Sequence, residues 1–149
     1  MRLLLLAGFL SLAASLFGQS ASLQADSREL NPAGGEIALT AVTTYEGELG
    51  ALGWEIQLPA GWRLARLSGP NAPAVASPPG TMGTLEFAFA QMPPARTAFL
   101  VHVAYPPQAA AGVVSGTALL RAHGKLTTLK PEPVDVRPAV VNPGKRREL

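Results

Sequence analysis

The chain has 149 residues, a hydrophobic fraction of 48%, no cysteine and a formal net charge of +2. That length allows one domain plus extensions, and the missing cysteine excludes both a disulfide scaffold and a lipid-modified N-terminal cysteine. The positive charge is terminal: between Ala21 and Gly144 there are eight basic residues against nine acidic ones, so the body lacks the clustered basic face that nucleic acid requires.

Met1 and Arg2 are followed by fifteen uncharged residues, Leu3 to Phe17. This run is shorter than the ~20 residues of a membrane-spanning helix and fits the apolar region of a signal peptide. The small residues Gly18 to Ser22 suit a signal peptidase cutting after Ser20 or Ser22, so residues 1–21 are read as a leader; an uncleaved N-terminal anchor is the alternative. An exported chain without cysteine points to the periplasm or exterior of a bacterium. No second long hydrophobic run follows, so no stable membrane anchor is expected once the leader is removed. The final "RREL" lacks the pattern of a retention signal.

Beyond the leader, fourteen prolines and thirteen glycines interrupt the chain, and no apolar 3.6-residue period lasts three turns. Period-2 runs recur instead. In "EIALTAVTTY", Ile37, Leu39, Ala41, Thr43 and Tyr45 share a face; in "LGWEIQL", Leu52, Trp54, Ile56 and Leu58 do; in "TLEFAFA", Leu85, Phe87 and Phe89 do. In "TAFLVHVAY", Phe99, Val101, Val103 and Tyr105 oppose Leu100, His102 and Ala104. About eight strands are expected, near residues 23–30, 36–45, 51–58, 62–68, 84–90, 97–105, 113–122 and 125–136. Between them lie turn segments such as "NPAGG", "LPAG", "YPPQAAAG" and "HGK", and "SGPNAPAVASPPG" reads as a loop. Short alternating strands joined by tight turns define an all-β, antiparallel two-sheet β-sandwich over residues 22–138, followed by a basic C-terminal tail over 139–149.

Chemistry is sparse. His102 falls on the less apolar register of its strand and His123 in the "HGK" turn, and no G-x-S-x-G nucleophile elbow accompanies them. Glu46 with Glu48, or Glu55 with Glu86, are the carboxylate pairs a glycosidase would need, but Glu55 and Glu86 sit where charged side chains of a solvated strand face belong. Calcium would want clustered oxygen ligands, and Asp26 and Asp135 are far apart. No catalytic, cofactor-binding or metal-binding residue is expected, no cofactor is implied, and no ligand-binding residue is identified. The chain is read as no enzyme.

The two tryptophans pose the remaining question, because exposed ones would suggest a sugar platform and buried ones a core. Trp54 has the register of Leu52 and Ile56, and Trp62 that of Leu64, so both are expected inside; Arg63 and Arg66 leave the facing of the second strand ambiguous.

The order of "LGWEIQLPAGWRL", a proline-rich loop, "GTLEFAFA" and "TAFLVHVAYPPQAAAGVVSGTALL" resembles the bacterial cohesin-like sandwich over about residues 25–136. Pro59 stands at the family's turn proline, Trp62 at its buried apolar position, Gly83 to Phe87 at its "G-x-(I/L)-x-F" strand, and Phe99 to Val103 with Ala109 to Gly112 at the strand and small-residue turn that follow. The family's aspartate before the proline is Leu58 here, so dockerin binding does not carry over. The resemblance implies a jelly-roll topology and a non-catalytic module, related to carbohydrate-binding domains, that acts in binding or adhesion toward a polysaccharide or another extracellular protein. The alternative is a structural or assembly component that pairs with a partner through an edge strand.

Overall fold

The computed structural model describes residues 18–140, and every named element among them is a β-strand. In chain order these are β1 (Gln19–Ala25), β2 (Glu29–Leu30), β3 (Gly35–Tyr45), β4 (Ala51–Gln57), β5 (Arg63–Ser68), β6 (Val75–Ala76), β7 (Thr84–Ala88), β8 (Arg96–Tyr105), β9 (Gly112–Ala122), β10 (Lys125–Leu129) and β11 (Val134–Pro138). Four build one sheet in the order β1-β3-β8-β5. The other seven build the second, in the order β2-β11-β9-β4-β7-β6, with β10 also paired to β9. All pairings are antiparallel except the short one between β2 and β11. From β1 to β6 the chain changes sheet at every step. The long ladders therefore join segments distant in sequence, as in β3 with β8 and β4 with β9.

Alternation in the sequence becomes the two sides of each sheet. Along β3, Ile37, Leu39, Ala41, Thr43 and Tyr45 are buried, while Ala38, Thr40, Val42 and Thr44 face outward. The facing strands of the second sheet bury Leu52, Trp54 and Ile56, Leu85 and Phe87, and Val114, Ala118 and Leu120. The Phe99 ring on β8 meets Trp54 and Phe87 of the opposite sheet edge-on, with centroids 6.4 and 5.6 Å apart. Each large side chain removed from water in this way contributes about 1.5–3 kcal/mol, so a core of this size closes the sandwich without disulfides.

Eleven strands stand where eight were expected, and each extra one has a local cause. The segment expected over 23–30 breaks at Asp26–Arg28 as the chain leaves β1 in one sheet for β2 in the other. The segment expected over 125–136 breaks at Lys130–Pro133. There, two prolines without N–H groups interrupt the ladder, and four residues span the stretch facing Ser115, Gly116 and Thr117. Within the loop read from "SGPNAPAVASPPG", Val75 and Ala76 add a two-residue edge strand beside β7. At the N-terminus the sandwich starts earlier than residue 22: Gln19 already pairs with Tyr45. Residues 1–17 of the expected leader and 141–149 of the expected tail lie outside the described residues.

Candidate functional site

Both tryptophans are buried, each with only 1% of its surface exposed. The Trp54 indole Nε1–H crosses between the sheets and donates to the Thr43 hydroxyl at 2.8 Å. Its ring lies over Gly116, where a Cβ would come within 3.1 Å of the indole and 3.2 Å of the Leu23 side chain. Trp62 is delivered by a tight turn: its N–H donates to the Pro59 carbonyl at 3.2 Å, and Gly61 takes φ 84°, a left-handed value that glycine adopts at no steric cost. The Trp62 ring stacks on Tyr105 at 5.2 Å, and the Tyr105 hydroxyl accepts from the Asn31 N–H at 2.9 Å, tying down the "NPAGG" turn. Tyr45, also buried, donates its hydroxyl to the Pro93 carbonyl. Among the described aromatic residues only Phe89 is incompletely buried. Among the described residues, no coplanar set of exposed rings is available to stack a sugar.

The bulge in β5 resolves the facing that the two arginines left open. Leu64 pairs with Val103 and Arg66 with His102, so Ala65 is the extra residue. Because that insertion shifts the alternation by one, Arg63 and Arg66 both face solvent although they stand three positions apart. On the outer face it assembles a polar cluster. His102 Nε2 lies 2.7 Å from Ser68 Oγ, Arg66 Nη2 lies 3.4 Å from His102 Nδ1, and Arg66 Nη1 bonds Glu36 at 2.9 Å.

A serine against a histidine raises the question of nucleophilic catalysis. Guanidinium can only donate, so the Arg66 contact uses Nδ1 as an acceptor in the tautomer that carries its proton on Nε2, toward Ser68. A general base needs the reverse, a lone pair on the nitrogen facing the serine and a carboxylate behind the other nitrogen. The cluster links β3, β5 and β8 across the outer face of the sheet, and no carboxylate bonds to His102. Its Arg66–Glu36 pair is exposed on both sides, which limits it to about 0–1 kcal/mol.

The remaining candidates stay apart or lie open. Glu55 and Glu86 are direct cross-strand neighbours between β4 and β7, on the solvated side of the sheet. A shallow groove of about 320 Å³ lies beside Glu55, reaching Gln57, Lys130 and Pro131. Glu46 and Glu48 are exposed in the β3–β4 turn. Asp26 uses its carboxylate locally, accepting from the Ala38 N–H at 2.9 Å, and Asp135 is exposed on β11. His123 occupies the β9–β10 hairpin turn, where it and Gly124 both take positive φ, 49° and 74°. Among the described residues no three His, Asp or Glu side chains gather as metal ligands.

What the structure does offer is a surface. The outer face of the four-stranded sheet carries Ser22 on β1, Ala38, Thr40, Val42 and Thr44 on β3, and Ala98 and Leu100 on β8, all partly exposed and uncharged. The register sets Thr40 beside Leu100 and Val42 beside Ala98, so uncharged side chains form the centre of the face. Charge appears around it, at Glu36, Arg63, Arg66 and Arg96. At one end of the sandwich, the segments Pro70–Ala74 and Phe89–Pro94 enclose a proline-lined groove of about 450 Å³. Sequence periodicity placed these residues on outward registers, but it carried no signal for which strands are neighbours, so the Ser68–His102 contact and the face itself were not legible. Compared with models of known protein families and with curated proteins, the chain matches none.

Proposed function

We propose that this chain is a non-catalytic, cohesin-like binding module exported to the periplasm or exterior of a bacterium, engaging a protein partner through the outer face of the four-stranded sheet. The observation that carries the reading is the partly exposed, uncharged centre of that face, Thr40, Val42, Ala98 and Leu100, with charged residues beyond it at Glu36, Arg63, Arg66 and Arg96. A patch of this make-up can be desolvated at little cost, and the outlying charges then set orientation and specificity. Burial of the aromatic residues favours a protein over a polysaccharide partner, because sugar recognition relies on exposed rings. The proline-rich segments, the buried Trp62 after the Pro59 turn and the sandwich itself are in keeping with the cohesin-like resemblance.

The test compares two single arginines on opposite faces. Leu100→Arg puts a charge in the centre of the proposed surface, while Thr117→Arg does the same on the outer face of the second sheet. Immobilised wild type should retain a protein from a cell-surface extract that Leu100→Arg loses and Thr117→Arg keeps. Protease treatment of the extract should abolish retention. Retention on cellulose, xylan or chitin that both variants preserve would overturn the reading in favour of carbohydrate binding elsewhere on the molecule.

A further inference from the structure

A β-sandwich has sheet edges, and each is a row of unpaired backbone groups unless something blocks it. In this molecule three edges are blocked. β5 is covered by the loop before β7: the Leu64 N–H donates to Thr81, the Gly80 N–H donates to Leu64, and Arg63 bridges to Met82. β6 is two residues long and is flanked by Pro73, Pro78 and Pro79. On the opposite side of that sheet, β10 and β11 lie end to end along β9, broken apart by Pro131 and Pro133 and carrying Lys125 and Lys130, and the end of β11 is covered by the two-residue β2.

β1 has none of these devices. It runs seven residues without proline, charge or bulge, "QSASLQA", in unbroken register with β3. Its even-numbered residues turn their backbone groups toward β3, as the bonds from Asp26 N–H to the Ala38 carbonyl and from Glu46 N–H to the Gly18 carbonyl show at its two ends. The N–H and C=O groups of Gln19, Ala21, Leu23 and Ala25 therefore point away from the sheet. β1 has no second strand partner among the described residues.

We propose that, in the chain that keeps Gln19–Ala25, this edge pairs with β1 of a second copy, antiparallel and centred on Ser22; a leader cut after Ser20 or Ser22 would remove half of the strand and with it the pairing. The symmetry follows from the residues. In a two-fold pairing every residue meets its own counterpart or its mirror position, so a strand with a charge near the axis repels itself. Here Ser22 meets Ser22, Ser20 meets Gln24, Ala21 meets Leu23 and Gln19 meets Ala25. In that register the hydrogen-bonded pairs are those of the four odd-numbered residues, so every outward backbone group between Gln19 and Ala25 finds a partner. On the core side Ala21 meets Leu23 and Gln19 meets Ala25, and on the outer side the uncharged polar Ser20, Ser22 and Gln24 meet one another. The product is one continuous sheet in which the two uncharged outer faces lie side by side. The pairing is independent of what that face binds.

The experiment uses the full chain and four substitutions, the last held in reserve. Light scattering with size-exclusion chromatography should find wild type as a concentration-dependent dimer. In Ala21→Pro, proline removes a donor that points away from β3, so the fold stays intact by circular dichroism and the dimer is lost. Ser22→Cys introduces the chain's first cysteine at the axis, where directly opposed Cα atoms come within about 4.5 Å, and it should oxidise to a covalent dimer. Ser20→Cys, whose partner position is Gln24, should not cross-link. A monomeric wild type at the highest attainable concentration would overturn the proposal, as would a dimer that survives Ala21→Pro or cross-linking by Ser20→Cys equal to that of Ser22→Cys. Should Ala21→Pro fail to fold, Ser22→Lys sets two like charges face to face on the axis. It must give a folded monomer for the proposal to stand.

Discussion

Trp54 and Trp62 lie eight residues apart and are equally buried, yet different physics holds them. Trp54 sits in the middle of a central strand, pinned by a hydrogen bond to Thr43 of the opposite sheet and seated on a glycine. Trp62 lies just before β5, placed by the Pro59–Trp62 turn and stacked on Tyr105. The first depends on a polar contact made inside the core, where an unmet donor is costly; the second depends on backbone geometry and ring packing. The pair shows that one sequence-level expectation, burial, can be met by two mechanisms with different sensitivities.

Alanine substitution sets the outer limit of this comparison. Trp54→Ala and Trp62→Ala should each cost about 3–5 kcal/mol. Trp54→Ala should cost more, because it also strands the Thr43 hydroxyl in the core, and urea unfolding midpoints would order the two. A narrower break is Gly116→Ala, which pushes a methyl against the Trp54 ring and Leu23 for about 1–3 kcal/mol. It should shift the near-ultraviolet signal of Trp54 in a way no change in the Pro59–Trp62 turn does. Thr43→Val removes the indole's acceptor while keeping the shape, and thermal denaturation should report a loss of about 1–3 kcal/mol.

Its cross-strand neighbour Thr97 provides the opposite sign. Thr97 is buried opposite Thr43, and its hydroxyl has no hydrogen-bond partner. Thr97→Val should therefore be neutral or stabilising by up to about 1 kcal/mol, in contrast to the loss at Thr43. The smallest expected effect is on quenching. Iodide should barely reduce the native tryptophan fluorescence and should quench strongly after unfolding in guanidinium. Strong quenching of the native protein would remove the basis for calling either ring buried.

Much of the fold was legible because a sandwich strand displays its own facing. Ile37, Leu39, Ala41, Thr43 and Tyr45 alternate with partly exposed neighbours in sequence and in space alike, and the polar Thr43 followed the register rather than its chemistry. Legibility failed at single-residue irregularities. The bulge at Ala65 reverses parity halfway along β5, which is why Arg63 and Arg66 could not be assigned together. The prolines at 131 and 133 split one expected strand in two. The candidate surface was less legible still, because Thr40, Val42, Ala98 and Leu100 carry no motif.

By itself the sequence determined the class of structure, the facing of most strands and the interior position of both tryptophans. Period-2 patterning and the chemistry of turn residues are local properties, and they act within a few residues. Tertiary structure alone decided that β3 lies between β1 and β8 and that Ser68 meets His102. It also decided that Gly116 makes room for Trp54, and that β1 rather than β5, β6 or β10 presents an open edge. The physical reason is that alternation specifies which way a side chain points and says nothing about which strand lies beside it. Neighbours are chosen when two complete faces must bury each other, and that choice belongs to the whole chain at once.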